Sequence, residues 1–199
     1  PWRDCYRPNF FVNTPDINPY FLHHNGRAGF LIRAALATMG SGLWGMYSGF
    51  EICESLPVPG KEEYLDSEKY EIRVRDYQAP GNIVAEIAQL NRIRRQNPAL
   101  QTHLGFQAYP CWNDNILFFG KRTADRENFI LVAVSLDPHN AQEAHFELPL
   151  WELGLDDHAT THGEDLMTGH TWQWHGKTQW MRIEPWHQPF GIWRIRVAS

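Results

Sequence analysis

The sequence predicts an α/β region followed by an all-β region. Two observations support this fold class. Up to about Leu100, apolar runs and one amphipathic pattern follow the order strand, helix, strand, helix. Beyond Leu100 the pattern changes to short stretches of alternating apolar and polar residues. The 199 residues, 43% of them hydrophobic, suffice for one or two domains. We therefore predict a βαβ-containing unit over residues 1–101 and an antiparallel β-sandwich over residues 102–199.

The first predicted strand ends in a carboxylate. Phe10, Phe11 and Val12 form an apolar run suited to a buried strand. Pro15 ends the run because it has no backbone N–H to donate. Asp16 therefore lies where a strand gives way to a loop, which in α/β barrels is the catalytic rim. Asp is also a common turn residue, and position alone favours that simpler interpretation.

The next elements complete a βαβ unit. Asn25 is a plausible N-cap for a helix from about residue 27 to residue 39, and glycines at positions 40 and 42 end it. The mostly apolar run from Leu43 to Glu51 has no alternation, as expected for a parallel strand buried on both faces. Glu51 is predicted to have a structural role at the end of that strand.

A long connection follows, over about residues 52–81. Its length suggests a functional loop. The charged stretch 61–71 is either a solvated face or a set of groups delivered to the rim. Asn82 then caps a helix that Pro98 ends, with one apolar stripe predicted to be core: Ile83, Ile87, Leu90 and Ile93.

The second half is predicted to contain several short strands. The clearest cover residues 116–119, 129–134, 145–148 and 193–197. Seven of the nine tryptophans lie from Trp112 onward. Trp172 and Trp174 alternate with polar residues, so both should face one side of a strand. A core position is favoured over a platform that stacks on sugar rings.

Composition excludes some classes of partner. The net charge of −5 argues against a nucleic-acid partner, and no run approaches the ~18 apolar residues of a membrane span. Three cysteines without metal-ligand spacing (Cys5, Cys53 and Cys111) predict reduced thiols in a cytoplasmic protein. His158, His162, His170 and His175 share no helix face, so we predict no metal site. His23 and His24 could contact a sugar but are more simply solvated. The beginning, Pro1-Trp2-Arg3, predicts an interior cut point.

Three motifs, in order, carry a resemblance to a known family. The segment from Phe11 to Asp16 resembles the last catalytic signature of the α-amylase family, which ends the seventh barrel strand. The run from Gly42 to Glu51 resembles the eighth strand, which closes in Tyr-x-Gly-x-Glu. The run from Leu90 to Leu100 is similar to the final barrel helix. The resemblance implies the C-terminal portion of a (β/α)8 TIM barrel, its last strands and helices, followed by an antiparallel β-sandwich domain.

One departure narrows the resemblance. Thr14-Pro15 replaces the Asn-His of typical amylases, which removes one sugar contact. The Asn-Thr-Pro-Asp-Ile motif and the segment from Pro59 to Tyr70 resemble those of the maltose-1-phosphate maltosyltransferases. That family transfers maltosyl units from α-maltose 1-phosphate to the end of an α-1,4-glucan. The resemblance implies that Asp16 is the transition-state-stabilising carboxylate and that Lys69 and Tyr70 bind the phosphate end of the donor.

The resemblance also implies what is missing. Nucleophile and general acid lie on earlier strands of such barrels, so this chain should be a C-terminal fragment without activity of its own. No cofactor is expected, and the parent enzyme should be a homodimer. Two alternatives stay open. One is an α-amylase-type hydrolase or a trehalose-type isomerising enzyme on the same barrel. The other is a non-catalytic carbohydrate-binding β module.

Overall fold

The computed structural model describes residues 5–67 and 72–198. Its first half contains β1 (Asn9–Phe11), α1 (Tyr20–His23), α2 (Gly26–Gly40), β2 (Leu43–Gly45) and α3 (Val84–Gln96), with 3₁₀ turns at Phe50–Ile52 and Pro98–Leu100. Its second half contains β3 (Phe106–Ala108), β4 (Ile116–Arg122), β5 (Phe129–Ser135), β6 (Gln142–Glu147), β7 (Thr160–Asp165), β8 (Thr171–His175), β9 (Thr178–Ile183) and β10 (Phe190–Val197), with a 3₁₀ turn at Leu150–Leu153.

The first half contains the predicted strand–helix–strand unit, with shorter strands. β1 and β2 pair in parallel from Asn9↔Leu43 to Phe11↔Gly45, and α2 packs against both. The prediction that the second strand reaches Glu51 was wrong, since β2 ends at Gly45 and Glu51 lies in a 3₁₀ turn. The chain turns here because Gly49 adopts a φ of 98°, which ends an extended conformation.

The two long helices are close to their predicted bounds. The predicted stripe on α3 is buried throughout, at no more than 6% exposure: Ile83, Ile87, Leu90 and Ile93. The N-cap of α3 is Ile83, one residue after the predicted cap Asn82, and the Asn82 side chain accepts a hydrogen bond from the Val84 N–H at 3.1 Å. Asn25 precedes α2 without such a bond, because its Oδ1 instead bonds to the ring of His139 at 2.9 Å.

The second half is antiparallel, as predicted. Six strands form one sheet in the order β3-β4-β5-β10-β7-β8, and β6 pairs with β9 in a second sheet. The four predicted strands correspond to β4, β5, β6 and β10, whereas β3, β7 and β9 were not predicted.

β5 shows how the layers are arranged, because all seven of its residues are buried. Ile130, Val132 and Val134 belong to a hydrophobic cluster with α2 and α3. Phe129, Leu131 and Ala133 point the other way, into a cluster with β6 and β9. The six-stranded sheet is therefore a middle layer, with helices on one face and the two-stranded sheet on the other.

The paired tryptophans of β8 lie in the second cluster. Trp174 is 7% exposed and Trp172 is half-buried, and their rings meet edge to face at 5.0 Å. Trp174 also contacts the ring of Trp193 at 6.1 Å. These contacts match the core interpretation of the two residues.

Candidate functional site

Asn13 joins three segments at the carboxyl end of β1. Its side chain is 2% exposed. Its Oδ1 accepts a hydrogen bond from the Tyr47 N–H at 2.7 Å, and its Nδ2 donates to the Tyr64 hydroxyl at 2.6 Å. The Arg33 Nε on α2 donates to the Val12 carbonyl at 2.9 Å, immediately before Asn13. The end of β1 is thus held by the segment after β2, by the long connection and by α2.

Asp16 lies on an exposed turn just beyond Asn13. The Thr14 hydroxyl accepts hydrogen bonds from the N–H groups of Asp16 and Ile17, at 3.3 and 3.0 Å. The backbones of Thr14 and Ile17 also pair with each other at 3.1 and 3.3 Å. Asp16 is therefore both a turn residue and a carboxylate at the end of a parallel strand, so the two interpretations of its position do not exclude each other.

The long connection packs against the turn that carries Asp16. Asn18 is fully buried, its N–H donates to the Glu62 carbonyl and its Nδ2 to the Ser55 carbonyl, both at 2.9 Å. The Glu62 carboxylate accepts a hydrogen bond from the Tyr20 N–H at 2.8 Å. An isolated antiparallel bridge between Pro57 and Tyr64 folds the connection back on itself. Part of the charged stretch thus holds the turn in place, whereas Lys61 and Glu63 form an exposed pair at 3.8 Å.

Lys69 and Tyr70, the predicted phosphate-binding pair, lie outside the described residues. The chain on either side of them is anchored. The Arg73 guanidinium donates to the Asp66 carbonyl at 2.8 Å and pairs with Glu54 at 2.6 Å. Arg75 pairs with the same Glu54 carboxylate at 2.9 Å and lies over the Tyr47 ring, 5.7 Å from its centre. Both arginines therefore tie the far side of the connection to the region of the Asn13 contacts.

Gly49 explains one glycine of the Tyr47-x-Gly49-x-Glu51 pattern. A Cβ at this position would lie 2.3 Å from the Glu54 Oε2 and 3.0 Å from the Arg75 Nε. The positive φ and the approach of this ion pair together favour glycine. The Glu51 carboxylate accepts a hydrogen bond from the Gly49 N–H at 3.0 Å, so Glu51 has a structural contact although it does not close a strand.

Burial controls the ionisation of the groups around Asn13. Burial raises the pKa of Tyr64 to about 12, against the opposing effect of the hydrogen bond from Asn13. Burial also lowers the pKa of Arg33, while Tyr64 and Glu62 act in the opposite direction. Tyr64 is therefore a neutral phenol at physiological pH, and its hydroxyl can accept from Asn13 and still donate one hydrogen bond.

The remaining candidates from the sequence are the loop histidines and the possible metal ligands. The His23 Nε2 bonds to the Asn18 carbonyl at 2.9 Å, which holds the first loop. Within residues 5–67 and 72–198, no three His, Cys, Asp or Glu side chains converge as metal ligands would. Sequence reasoning missed Asn13, Tyr64 and the Glu54 ion pairs. Only Asn13 had a local signal, as a polar residue directly after an apolar strand.

Sequence comparison gives two kinds of match. Residues 108–195 match the family model described as GLGE, C-terminal. The alpha-1,4-glucan:maltose-1-phosphate maltosyltransferase of Pseudomonas aeruginosa is 82% identical over 196 residues, which are 98% of this chain and 30% of that protein. The protein of the same name from Cereibacter sphaeroides is 50% identical over 97% of this chain and 29% of its own length. The chain thus spans about 30% of the length of these two relatives.

Solved structures share the fold at low sequence identity. The α-amylase of Geobacillus thermoleovorans, complexed with acarbose, superposes with a TM-score of 0.69 at 13% identity, over 98% of this chain and 40% of that one. An Anoxybacillus α-amylase gives 0.68 at 11% identity, over 98% and 39%. In fold this chain resembles part of an α-amylase. In sequence it is similar, over 98% of its length, to part of an α-1,4-glucan:maltose-1-phosphate maltosyltransferase, and its residues 108–195 match the GLGE, C-terminal family model.

Proposed function

We propose that this chain forms the C-terminal part of an enzyme that transfers maltosyl units from α-maltose 1-phosphate to the end of an α-1,4-glucan. The observation that carries the proposal is the 82% identity, over 98% of the chain, to a protein named for that reaction. The turn that carries Asp16 and the anchored connection next to it provide a structural setting for such chemistry.

Residues 1–101 are proposed to be the last quarter of a (β/α)8 barrel, with residues 102–199 as the β-sandwich domain. Within the described residues, β1 and β2 pair only with each other. Phe10, Phe11 and Leu43 on these strands are 40%, 51% and 61% exposed, which is unusual for strands of a parallel sheet. A closed barrel would supply a neighbour on the other side of each strand and would cover these side chains.

Asp16 is proposed to stabilise the transition state. Retaining glycosyl transfer uses a nucleophile and a general acid about 5–5.5 Å apart around an oxocarbenium-like transition state. A third carboxylate can bind hydroxyls of the distorted sugar, and those bonds strengthen as positive charge develops. Lys69 would pair with the departing phosphate and Tyr70 would donate a hydrogen bond to it. Both binding roles are proposals, made on the resemblance of the segment that contains them.

A first experiment tests the proposal in a longer protein that includes the upstream strands. Asp16→Asn should lower the rate of phosphate release from maltose 1-phosphate by about 10²–10⁴-fold, because the amide keeps the shape but loses the charge. Asp76→Asn is the control, since Asp76 Oδ1 accepts a local turn bond from the Gln78 N–H, which an amide oxygen can also accept. Equal rates for wild type and Asp16→Asn would refute the role of Asp16. The 199-residue chain alone should release no phosphate.

The same assay separates the alternatives on the same barrel. A transferase needs maltose 1-phosphate, whereas a hydrolase would generate reducing ends from glucan alone.

A cytoplasmic homodimer is part of the proposal. Cys53 and Cys111 are free thiols, which suits a reducing compartment. Sedimentation of the longer protein would test the dimer.

No helix in the described part of the chain is both long and apolar enough to cross a membrane.

A further inference from the structure

Two exposed tryptophans lie close together on the outer face of the β6–β9 sheet. Trp112 is 60% exposed and Trp180 is 55% exposed, although tryptophan usually buries most of its surface. They differ in this from Trp172 and Trp174, which pack into the second hydrophobic cluster. Large exposed aromatic rings on a sheet face indicate an interaction site.

The strand register places a histidine between the two tryptophans. His145 on β6 lies directly opposite Trp180 on β9. On the other side of β6, Cys111 bridges to Phe146, and the Trp112 N–H donates to the His145 carbonyl at 3.0 Å. Cys111 and Phe146 point inward, so Trp112 and His145, the next residue pair, belong to the outer face. Trp112, His145 and Trp180 therefore form a row across three adjacent chain segments, about 10 Å long at the usual strand spacing.

The polar atoms of this row are available to a ligand. In the part of the chain that the structure describes, neither indole N–H and neither nitrogen of the exposed His145 ring has a hydrogen-bond partner. Each indole provides a flat apolar face and one donor, and the imidazole provides one donor and one acceptor when neutral. Flat faces flanked by polar donors and acceptors suit the faces and hydroxyls of pyranose rings.

Both cations near the row are already paired with carboxylates. Arg182 pairs with Glu143, the residue opposite it, and with Glu184 at 2.9 Å. Lys177 pairs with Asp157 at 2.8 Å and with Glu147 at 3.7 Å. These groups comprise two cations and four carboxylates, so no positive excess is left to attract a nucleic acid or an acidic polymer. The face complements a neutral, hydroxyl-rich ligand.

We infer that Trp112, His145 and Trp180 form a binding surface for α-1,4-glucan chains, separate from the turn that carries Asp16. The choice of α-glucan among neutral polysaccharides rests on the proposed function. The surface would hold a polymeric acceptor on the protein between transfer steps. The transfer itself would take place at the turn after β1, which carries Asp16.

Affinity electrophoresis of the 199-residue chain in native gels containing glycogen tests this inference, because it measures binding without requiring transfer. Glycogen should retard the wild-type chain. Trp112→Ala and Trp180→Ala should each weaken the apparent affinity about threefold to tenfold, and the double variant more, given the energy of a single aromatic contact. Trp151→Ala is the matched control, because Trp151 is 52% exposed but lies elsewhere, against Tyr109. It should bind glycogen like wild type.

Thermal midpoints of all variants should stay near that of the wild type, since the substituted rings are exposed. Unchanged retardation of a folded double variant would overturn the inference. An equal loss in Trp151→Ala, or equal retardation by an α-1,6-linked dextran, would also overturn it. Conversion of a dimer to a monomer in the double variant, without loss of glycogen binding, would show that the face binds a second copy. Failure of the phosphate-release assay would contradict the proposed transfer reaction and leave the glycogen result intact.

Discussion

At the scale of single residues, Asn13 organises the region around Asp16. It contacts Tyr47 and Tyr64, which lie 34 and 51 positions away in the sequence. Both bonds are buried or partly buried, so a polar group that loses its partner there is not freely rescued by water. The position of the Asp16 turn therefore depends on the buried hydrogen bonds of Asn13.

Asn13→Ala should destabilise the chain by about 2 kcal/mol, because it leaves the Tyr47 N–H and the Tyr64 hydroxyl without their partner. Urea unfolding of the variant and the wild type measures the difference. Tyr64→Phe is the matched comparison, since it removes only the bond from the Asn13 Nδ2 and should cost less. A loss from Asn13→Ala no greater than that from Tyr64→Phe would contradict the role of Asn13 as a joint between three segments.

Lys121 is a second residue with a local consequence. It lies on β4, fully buried, and its ammonium donates to the Thr102 carbonyl. Burial lowers the pKa of Lys121 from its ordinary 10.5 to about 8, and the nearby Arg94 acts in the same direction. Below pH 8 the lysine is charged in both folded and unfolded chains, so the full cost of burying the charge is present. Between pH 8 and 10.5 the folded state has lost the proton and the unfolded state still binds it, so stability rises with pH.

The free energy of unfolding of Lys121→Met, relative to that of the wild type, should therefore be highest near pH 7 and lower near pH 10. The change in the difference should be on the order of 2–3 kcal/mol. Unfolding free energies at several pH values between 7 and 10.5 provide the measurement. Parallel profiles for Lys121→Met and wild type would show that burial does not shift the proton equilibrium of Lys121.

At the scale of elements, the sequence predicted those whose pattern is local. The stripe on α3 repeats with the period of a helix, so its burial followed from spacing alone. β4 and β5 are continuous apolar runs, and both were predicted. β7 was missed because its two buried positions are Thr161 and Gly163, neither of which is a large apolar residue. That glycine leaves room for the ring of Trp172, which an added Cβ would approach to 2.7 Å.

The parts of the site were predictable to different degrees for the same reason. Asp16 follows an apolar run and a proline, so its place at a strand end could be read from adjacent residues. The hydroxyl of Tyr64 and the ion pairs of Glu54 reach this region only through the folding of the long connection. No periodicity marks those contacts in the sequence. The exposed row formed by Trp112, His145 and Trp180 depends on the register of three segments, which also could not be read from any one of them.

At the scale of the whole molecule, the two halves share a hydrophobic core. One face of the six-stranded sheet packs on the helices of the first half, and it presents apolar side chains to them: Phe119, Ile130, Val132, Val134 and Ile192. Polar contacts cross at the same place. The Asn128 Nδ2 donates to the Asn97 Oδ1 at 2.9 Å, and the Gln89 Nε2 donates to the Leu166 carbonyl at 3.0 Å. The regions before and after the predicted boundary at residue 101 thus pack against each other.

Residues 102–199 expressed alone should therefore not be a stable monomer. Exposing five apolar side chains would cost roughly 7–15 kcal/mol at 1.5–3 kcal/mol each, which is as large as the whole stability of a typical domain. The truncated piece should unfold at lower urea than the 199-residue chain, bind a hydrophobic dye, or self-associate through the uncovered face. A version with Val132→Thr and Ile192→Thr should self-associate less, because both residues lie on that face. A monomeric piece that unfolds cooperatively at the same urea concentration as the full chain would show that the β region forms its own core and that the helices add nothing to it.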